Sequence, residues 1–278
     1  MNHTTLKRIN SLVLYGSEAD LAEAIDLLKS DSGKTWPRIG TKLARWADTG
    51  QVNWSIWTEG NSKLPFLSFS ALPGETCPGA GDCLNWCYSF TSWRNGYPWF
   101  RQLMNTWLIR NDFGKIAESL DRHLKRKKYA GRTVDVRLYV DGDIDSTETL
   151  AKWCGLLMSR PQIRAYGYSK SMTIFNEYRG EIPPNYVLNV SSGHKWDDSV
   201  EEAFSKHPYV RGRFVGVKVE GAKVSGFAVK DKDVKAAVRE AYGKKKSFVC
   251  PGQCGDCTPR GHACGILTMT ADIITVLH

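Results

Sequence analysis

Apolar positions Leu21, Ala24, Ile25 and Leu28 recur at i, i+3, i+4 and i+7, which predicts a helix over residues 17–29 with Ser17 as N-cap. A second helix is predicted from Pro37 to Ala47. Ile39, Leu43 and Trp46 share its inner face, and Gly50 lies beyond its end. Residues 1–63 carry no chemical motif and read as a helical cap. From Leu64 the pattern changes. Leu64–Leu72, with Phe66, Leu67 and Phe69, predicts a buried strand. Helical spacing then covers about residues 99–110 and 115–129. Val134–Val140 alternates apolar and polar residues, the clearest strand in the chain. A helix is predicted over 146–159, with Leu150, Trp153, Cys154 and Leu157 inward. Strands at 163–168, 186–190 and 213–219 follow, separated by a short helix and a helix over 198–206.

Strand and helix thus alternate at least four times, which predicts an α/β fold with a parallel sheet and crossover helices. Five to seven strands suit a partial (β/α) barrel better than a full one. The core domain is placed at 64–230. Residues 231–278 are read as a basic helix, a Cys-rich metal loop and a closing strand within Ile266–Leu277. In that helix Val234, Val238 and Tyr242 face inward, and Lys232, Lys235 and Arg239 outward.

Composition narrows the class without changing the picture. The 278 residues are 42% hydrophobic and 24% charged, ordinary for a globular protein. Lys+Arg 38 against Asp+Glu 29 gives a net charge of +9, which favours polyanionic partners such as nucleic acid. No apolar run reaches the roughly 18 residues of a membrane helix. The stretch Leu12–Tyr15 is too brief for a signal-peptide core. A cytoplasmic protein is expected, where paired disulfides are rare and clustered cysteines read first as metal ligands.

Seven of the eight cysteines fall in two loops punctuated by Gly and Pro. Cys250, Cys254, Cys257 and Cys264 have the spacing C-x3-C-x2-C-x6-C, enough soft ligands to close a site alone. A tight single run is more like iron–sulfur ligation than the two separated pairs of a zinc ribbon, and zinc is the alternative. Cys77, Cys83 and Cys87 offer three ligands as C-x5-C-x3-C. Three ligands leave a position open for chemistry. A fourth from Cys264, His262 or His194 would instead close the site. The sulfurs of each set are expected to converge on metal at about 2.3 Å. Both loops are expected at one end of the sheet.

Polar clusters stand where strands are predicted to end: Asp141-Gly142-Asp143, Ser169-Lys170-Ser171 and Ser191-Ser192-Gly193. Functional loops of parallel sheets lie at that end. Asp141, Asp143 and Lys170 are therefore candidates for gripping a cofactor or substrate or for acid–base work, with Gly142, Ser169, Ser171 and Ser191 beside them. A plain β-turn and a surface lysine are the bland readings. His194 reads as an exposed loop residue, an acid/base group or a ligand. Arg122–Lys128 and Lys244–Lys246 read as solvated charge or phosphate contacts. Trp93, Arg94, Tyr97 and Trp99 read as core or as base-stacking groups. Cys154 reads as core.

A strand followed by a three-Cys loop, with the aromatic Trp86 before its last cysteine, resembles the radical AdoMet enzymes over about residues 64–220. That resemblance implies a 4Fe–4S cluster on Cys77, Cys83 and Cys87, S-adenosylmethionine as second cofactor, and an auxiliary cluster on the C-terminal cysteines. The C-x5-C-x3-C spacing departs from the usual C-x3-C-x2-C. Asp141-Gly142-Asp143 does not match the residues that bind the AdoMet amine. The chain also resembles the gene product 88 family of phages and plasmids. The likeness lies in Thr76–Ala80 with Cys83 and Cys87, in Gly142-Asp143 followed by a helix with Trp153, in Tyr166–Ser171, and in the C-terminal Cys loop. It implies a mobile-element origin and names no function. Two functions are carried forward: iron–sulfur radical chemistry at the three-Cys loop, and a metal-stabilised module binding nucleic acid or a host protein.

Overall fold

The computed structural model describes residues 1–60, 64–219, 232–243, 246–255, 257–258 and 261–276. Three helices lead the chain: α1 (His3–Tyr15), α2 (Glu18–Lys29) and α3 (Thr35–Thr49). A Ser17–Asp20 capping box opens α2, and Gly50 closes α3 in the left-handed region, at φ 64°. Then come β1 (Leu67–Ser68), α4 (Tyr88–Ser92), α5 (Gly96–Asn111), α6 (Phe113–Leu124), β2 (Val134–Arg137), α7 (Thr147–Met158), β3 (Ile163–Ser169) and α8 (Met172–Glu177). The chain continues through β4 (Tyr186–Ser191), α9 (Asp198–Ser205), β5 (Val210–Val217), α10 (Lys232–Tyr242), β6 (Ser247–Val249) and β7 (Asp272–Val276).

The seven strands of the described residues form one parallel sheet in the order β1-β2-β3-β4-β5-β7-β6. The α/β class and parallel sheet follow the sequence pattern. The paired part of the first strand is shorter than expected, and beyond it buried Phe69 and Ala71 donate their amides to the Arg137 and Asp141 carbonyls. β6 and β7, both within 231–278, pair into the same sheet.

Strand order decides which face each connection covers. From β1 to β5 every step advances in the same direction, so right-handed crossovers lay their helices on one face. That face is the main core. Val134, Val136, Ile163, Ala165, Leu188 and Val190 pack there with Trp153 of α7, Phe175 of α8 and Phe204 of α9. The cap is joined through α5, where Trp99, Phe100 and Leu103 meet Leu6, Ile9, Leu28 and Leu43. The step from β6 back to β7 reverses direction. A right-handed crossover there must lie on the opposite face, and it is this connection that carries Cys250–Cys264. Period-2 alternation follows suit: Val249 and Ile274 face α10, while Phe248 and Ile273 face the Cys loop. Among the described residues no helix is long and apolar enough to cross a membrane.

Candidate functional site

The three-Cys loop leaves β1 and docks on the C-terminal ends of the next three strands. At β2, Gly142 has φ 79° and passes so close to Thr76 that a Cβ would lie 2.5 Å from its Oγ1. At β3, Gly79 lies against Lys170, and a Cβ there would stand 1.7 Å from the Lys170 carbonyl oxygen. At β4, the amides of Gly81 and Cys83 both donate to the Gly193 carbonyl at 3.1 Å, and the Lys195 amide donates to the Gly79 carbonyl. Gly79→Ala should therefore undock the loop, costing about 3 kcal/mol. Denaturant unfolding checks this, with Gly155→Ala on the open face of α7 as the neutral control.

Asp143 is the buried centre of this assembly. Its carboxylate accepts from Ser169 Oγ (2.9 Å), the Ile144 amide (2.8 Å), the Lys170 amide (2.7 Å) and the Ser171 amide (3.2 Å). Burial raises its pKa, while those donors and the Lys170 charge pull it back. Lys170 Nζ donates to Ser191 Oγ at 2.7 Å. Its charge favours the thiolates of Cys77 and Cys83. Burial foremost, then Asp143, pushes the Cys77 thiol up to about 12, and burial also raises Cys83. Cys87 acts electrostatically on both, so the three thiols share one locality. Gly142, Ser169, Ser171 and Ser191 thus sit around Asp143 and Lys170. Asp141 lies at the rim, where its charge reaches Tyr88 and Arg101.

The C-terminal cysteines occupy a different place. Cys250 follows β6 at the C-terminal end of the sheet, and the loop then folds over the face opposite the crossover helices. Cys250, Cys254, Cys257 and Cys264 line one cavity of about 150 Å³ with Arg137, Tyr166, Tyr168 and His262. Asn189, fully buried on β4, anchors this loop. Its Nδ2 donates to the Cys264 carbonyl, and its Oδ1 accepts from Arg211 Nε. The Ala263 amide points at Cys257 Sγ, 3.2 Å away. Tyr166 hydroxyl stands against Cys254, and Tyr168 hydroxyl against Cys264. Burial pushes Cys250 to about 11 and Cys264 to about 12, with Arg137 opposing the first and Arg211 the second.

Arg137 is the unusual member. Its guanidinium lies 4.7 Å from the Tyr168 ring centroid, and its sealed Nε has no hydrogen-bond partner. It forms no ion pair with a carboxylate among the described residues. A desolvated cation of this kind needs a counter-charge. Sequence reasoning did not find Arg137, Asn189 or Arg211. Alternation in β2 put Arg137 opposite the core face, but nothing local says what meets it.

His262 and Cys264 belong to this second cavity and do not complete the first loop. His262 Nε2 stands 3.5 Å from Asp135 Oδ1, and Arg164 pairs with the same carboxylate. Burial alone would raise Asp135, but His262 and Arg164 overcome it and hold the carboxyl at about 2. This stabilisation, about 2 kcal/mol, is complete above pH 4 and is lost as pH falls towards 2. Asp135→Asn should lower stability by that amount at pH 7, with the difference closing in unfolding curves taken near pH 2. His194 is not an exposed loop residue. It is half-buried, and its Nε2 meets Glu201 at 2.9 Å.

Among the described residues no three His, Cys, Asp or Glu side chains converge closely enough to hold one metal ion. The expected convergence on a common ion is therefore not met in either loop. Trp93 and Trp99 are buried and bonded to Gln102 and Asn10, which makes them core. Cys154 is core as well. Arg126 and His123 pair with Glu59, and Arg122 with Glu118, so that basic run is partly neutralised. Lys244 and Lys245 lie outside the described residues, and so does the Val234 side chain. A family model described as Gene product 88 matches residues 38–266. No curated protein and no solved structure matches the chain.

Proposed function

The chain belongs to the gene product 88 family, and on that footing we propose that it is an iron–sulfur protein of a phage or plasmid with reductive chemistry at the three-Cys loop. One observation carries the reading: four thiols surround a single cavity beside an Arg137 that lacks a carboxylate. A 4Fe–4S cluster spreads its four sulfur ligands around a cube, whereas one zinc draws them to a point. Four thiols on one cavity match the ligand number of such a cluster, and the cluster's net negative charge would answer the arginine. Tyr166, Tyr168 and the Ala263 amide would donate to sulfur and set the potential.

The first loop has the same donor chemistry with one thiol fewer. Cys77, Cys83 and Cys87 would hold a cluster with one iron open, which supplies reductive cleavage of S-adenosylmethionine when that cofactor is bound. Lys170 offers a cation near Cys77 and Cys83. Asp143 already spends its acceptors on the β3 loop, so its part is to fix Lys170 and the docking of Gly79. The position at the C-terminal ends of a singly advancing parallel sheet supports this assignment.

Anaerobic purification with iron, sulfide and zinc analysis tests the first claim. Iron with broad absorption near 400 nm is expected, and zinc alone without that absorption would overturn it. Reduction in the presence of S-adenosylmethionine tests the second. A cluster-loaded protein that leaves the cofactor intact would remove the catalytic role and leave a metal-stabilised module.

A further inference from the structure

The outer face of α3 carries charge of one sign. At about 100° per residue, Lys34, Arg38, Lys42 and Arg45 share one narrow stripe with Thr41 and Thr49. Trp36, Ile39, Leu43 and Trp46 lie on the opposite side and pack into the cap. Lys34, Arg38 and Arg45 are exposed, and Lys42 is half-buried. From Lys34 to Arg45 the stripe runs about 16 Å along the helix. Among the described residues, none of these cations pairs with a carboxylate. Asp48, near the end of the helix, is the one acid in α3.

A merely solvated face is built differently in this chain. Lys115 and Arg122 meet Glu118 on α6, Lys152 meets Glu148 on α7, and Lys206 meets Glu202 at the end of α9. Such i, i+3 and i, i+4 pairs neutralise an exposed helix from within. The α3 stripe has no such pair. Its cations also stand at the wrong end: Lys34 holds the N-cap position without capping it, and no acid lies in the first turn. Positive charge there opposes the helix dipole and weakens the helix. The counter-charge for this stripe must come from outside the chain.

An aromatic group flanks the stripe. Gly96, at the start of α5, lies against α3, and a Cβ there would stand 2.5 Å from Ile39 Cδ1. Exposed Arg94 precedes that contact. Tyr97 follows it, 41% exposed and bordering the same cleft as Lys42. Arg101, further along α5, already faces the Asp141 charge and is no part of this surface. Guanidinium forks suit phosphate oxygens, and an exposed ring suits an unpaired base, which a duplex keeps inside its stack. The stripe itself holds no apolar side chain to enter a lipid surface. We propose that this face of the cap binds single-stranded nucleic acid, with the backbone along Lys34, Arg38, Lys42 and Arg45 and a base stacked on Tyr97. Neither Cys loop contributes a residue to it, so binding needs no cluster.

Fluorescence anisotropy of the full chain with a labelled oligothymidylate of about 16 nucleotides tests the surface. Binding should weaken steeply with salt, and the same strand paired to its complement should bind at least about tenfold more weakly. Arg38→Gln combined with Arg45→Gln should weaken binding about tenfold and flatten the slope of log K against log salt by about 1.4, the share of two single-strand phosphate contacts. Tyr97→Ala should weaken binding about tenfold and leave that slope unchanged. Arg122→Gln combined with Arg126→Gln removes the same charge from cations already paired with Glu118 and Glu59, and should change affinity less than about twofold. Thermal melts confirm that the variants fold. The inference is overturned by absence of binding, by equal losses in the two arginine pairs, or by binding unmoved in both the Arg38/Arg45 and Tyr97 variants. Duplex bound as tightly as the strand, or equal competition by polyglutamate, would overturn it too, the latter assigning an acidic peptide. Absorption near 400 nm is read on the same samples, so failure of the iron reading and failure of this surface are told apart.

Discussion

Cys254→Ser should remove the iron of the C-terminal site and leave that of the first loop in place. A serine hydroxyl does not ionise near neutrality and makes a poor ligand for iron, so three thiolates remain where four are needed. The loss also strands Arg137, because the anionic group proposed to balance it is gone, and Tyr166 hydroxyl loses the sulfur it faces. Iron should fall from roughly eight to roughly four atoms per chain, with absorption near 400 nm falling in step. Cys77→Ser should strip the other half. Cys154→Ser, inside the core away from both loops, should change neither figure. If either loop variant empties both sites, the seven cysteines act as one centre and the two-site reading fails. Unchanged iron in Cys254→Ser would refute the cage itself.

Asp143→Ala should cost about 4 kcal/mol in denaturant unfolding. Four donors converge on the carboxylate, and three of them are backbone amides that cannot rotate away. Each donor left without a partner in a buried site costs about 1–3 kcal/mol, partly recovered where water enters. Asp143→Asn keeps one acceptor oxygen but turns an N–H pair toward amide donors, and should cost about 2 kcal/mol. Both variants should also lower iron in the first loop, since Gly79 docks on the Lys170 that Asp143 fixes. A loss under about 1 kcal/mol would mean that the carboxylate is not structural and is available for chemistry.

That distinction between Asp141 and Asp143 was not legible in the sequence, where both flank Gly142 at a strand end. Only the depth of the β3 loop separates the buried clamp from the rim residue. The helices were easier. Ser17, Gly50 and the spacing of Ile39, Leu43 and Trp46 act locally, and local signals survive in any context. α1 was missed because its inner face, Leu6, Ile9 and Val13, is spread over three turns and framed by polar residues. β6 was missed because three residues are too few to show a period. The four-Cys spacing announced a cluster of ligands, but its place on the face opposite the crossover helices depends on strand order. Strand order is settled by pairings across the whole chain, with no signature in the loop.

The seventh strand has a consequence for how the protein is made. β7 is last in sequence, yet it lies between β5 and β6 and pairs with both. Until residues 272–276 slot in, β6 has no neighbour and the sheet stops at β5. The connection that presents the cysteines hangs between those two strands, so it has no wall to lie on before then. Such pairings join distant parts of the chain and form slowly. Ile273 closes the sulfur cavity from below at the moment it completes the sheet. A partly synthesised chain therefore lacks the wall against which the Cys250–Cys264 connection lies, and that cavity closes only with the last strand in place.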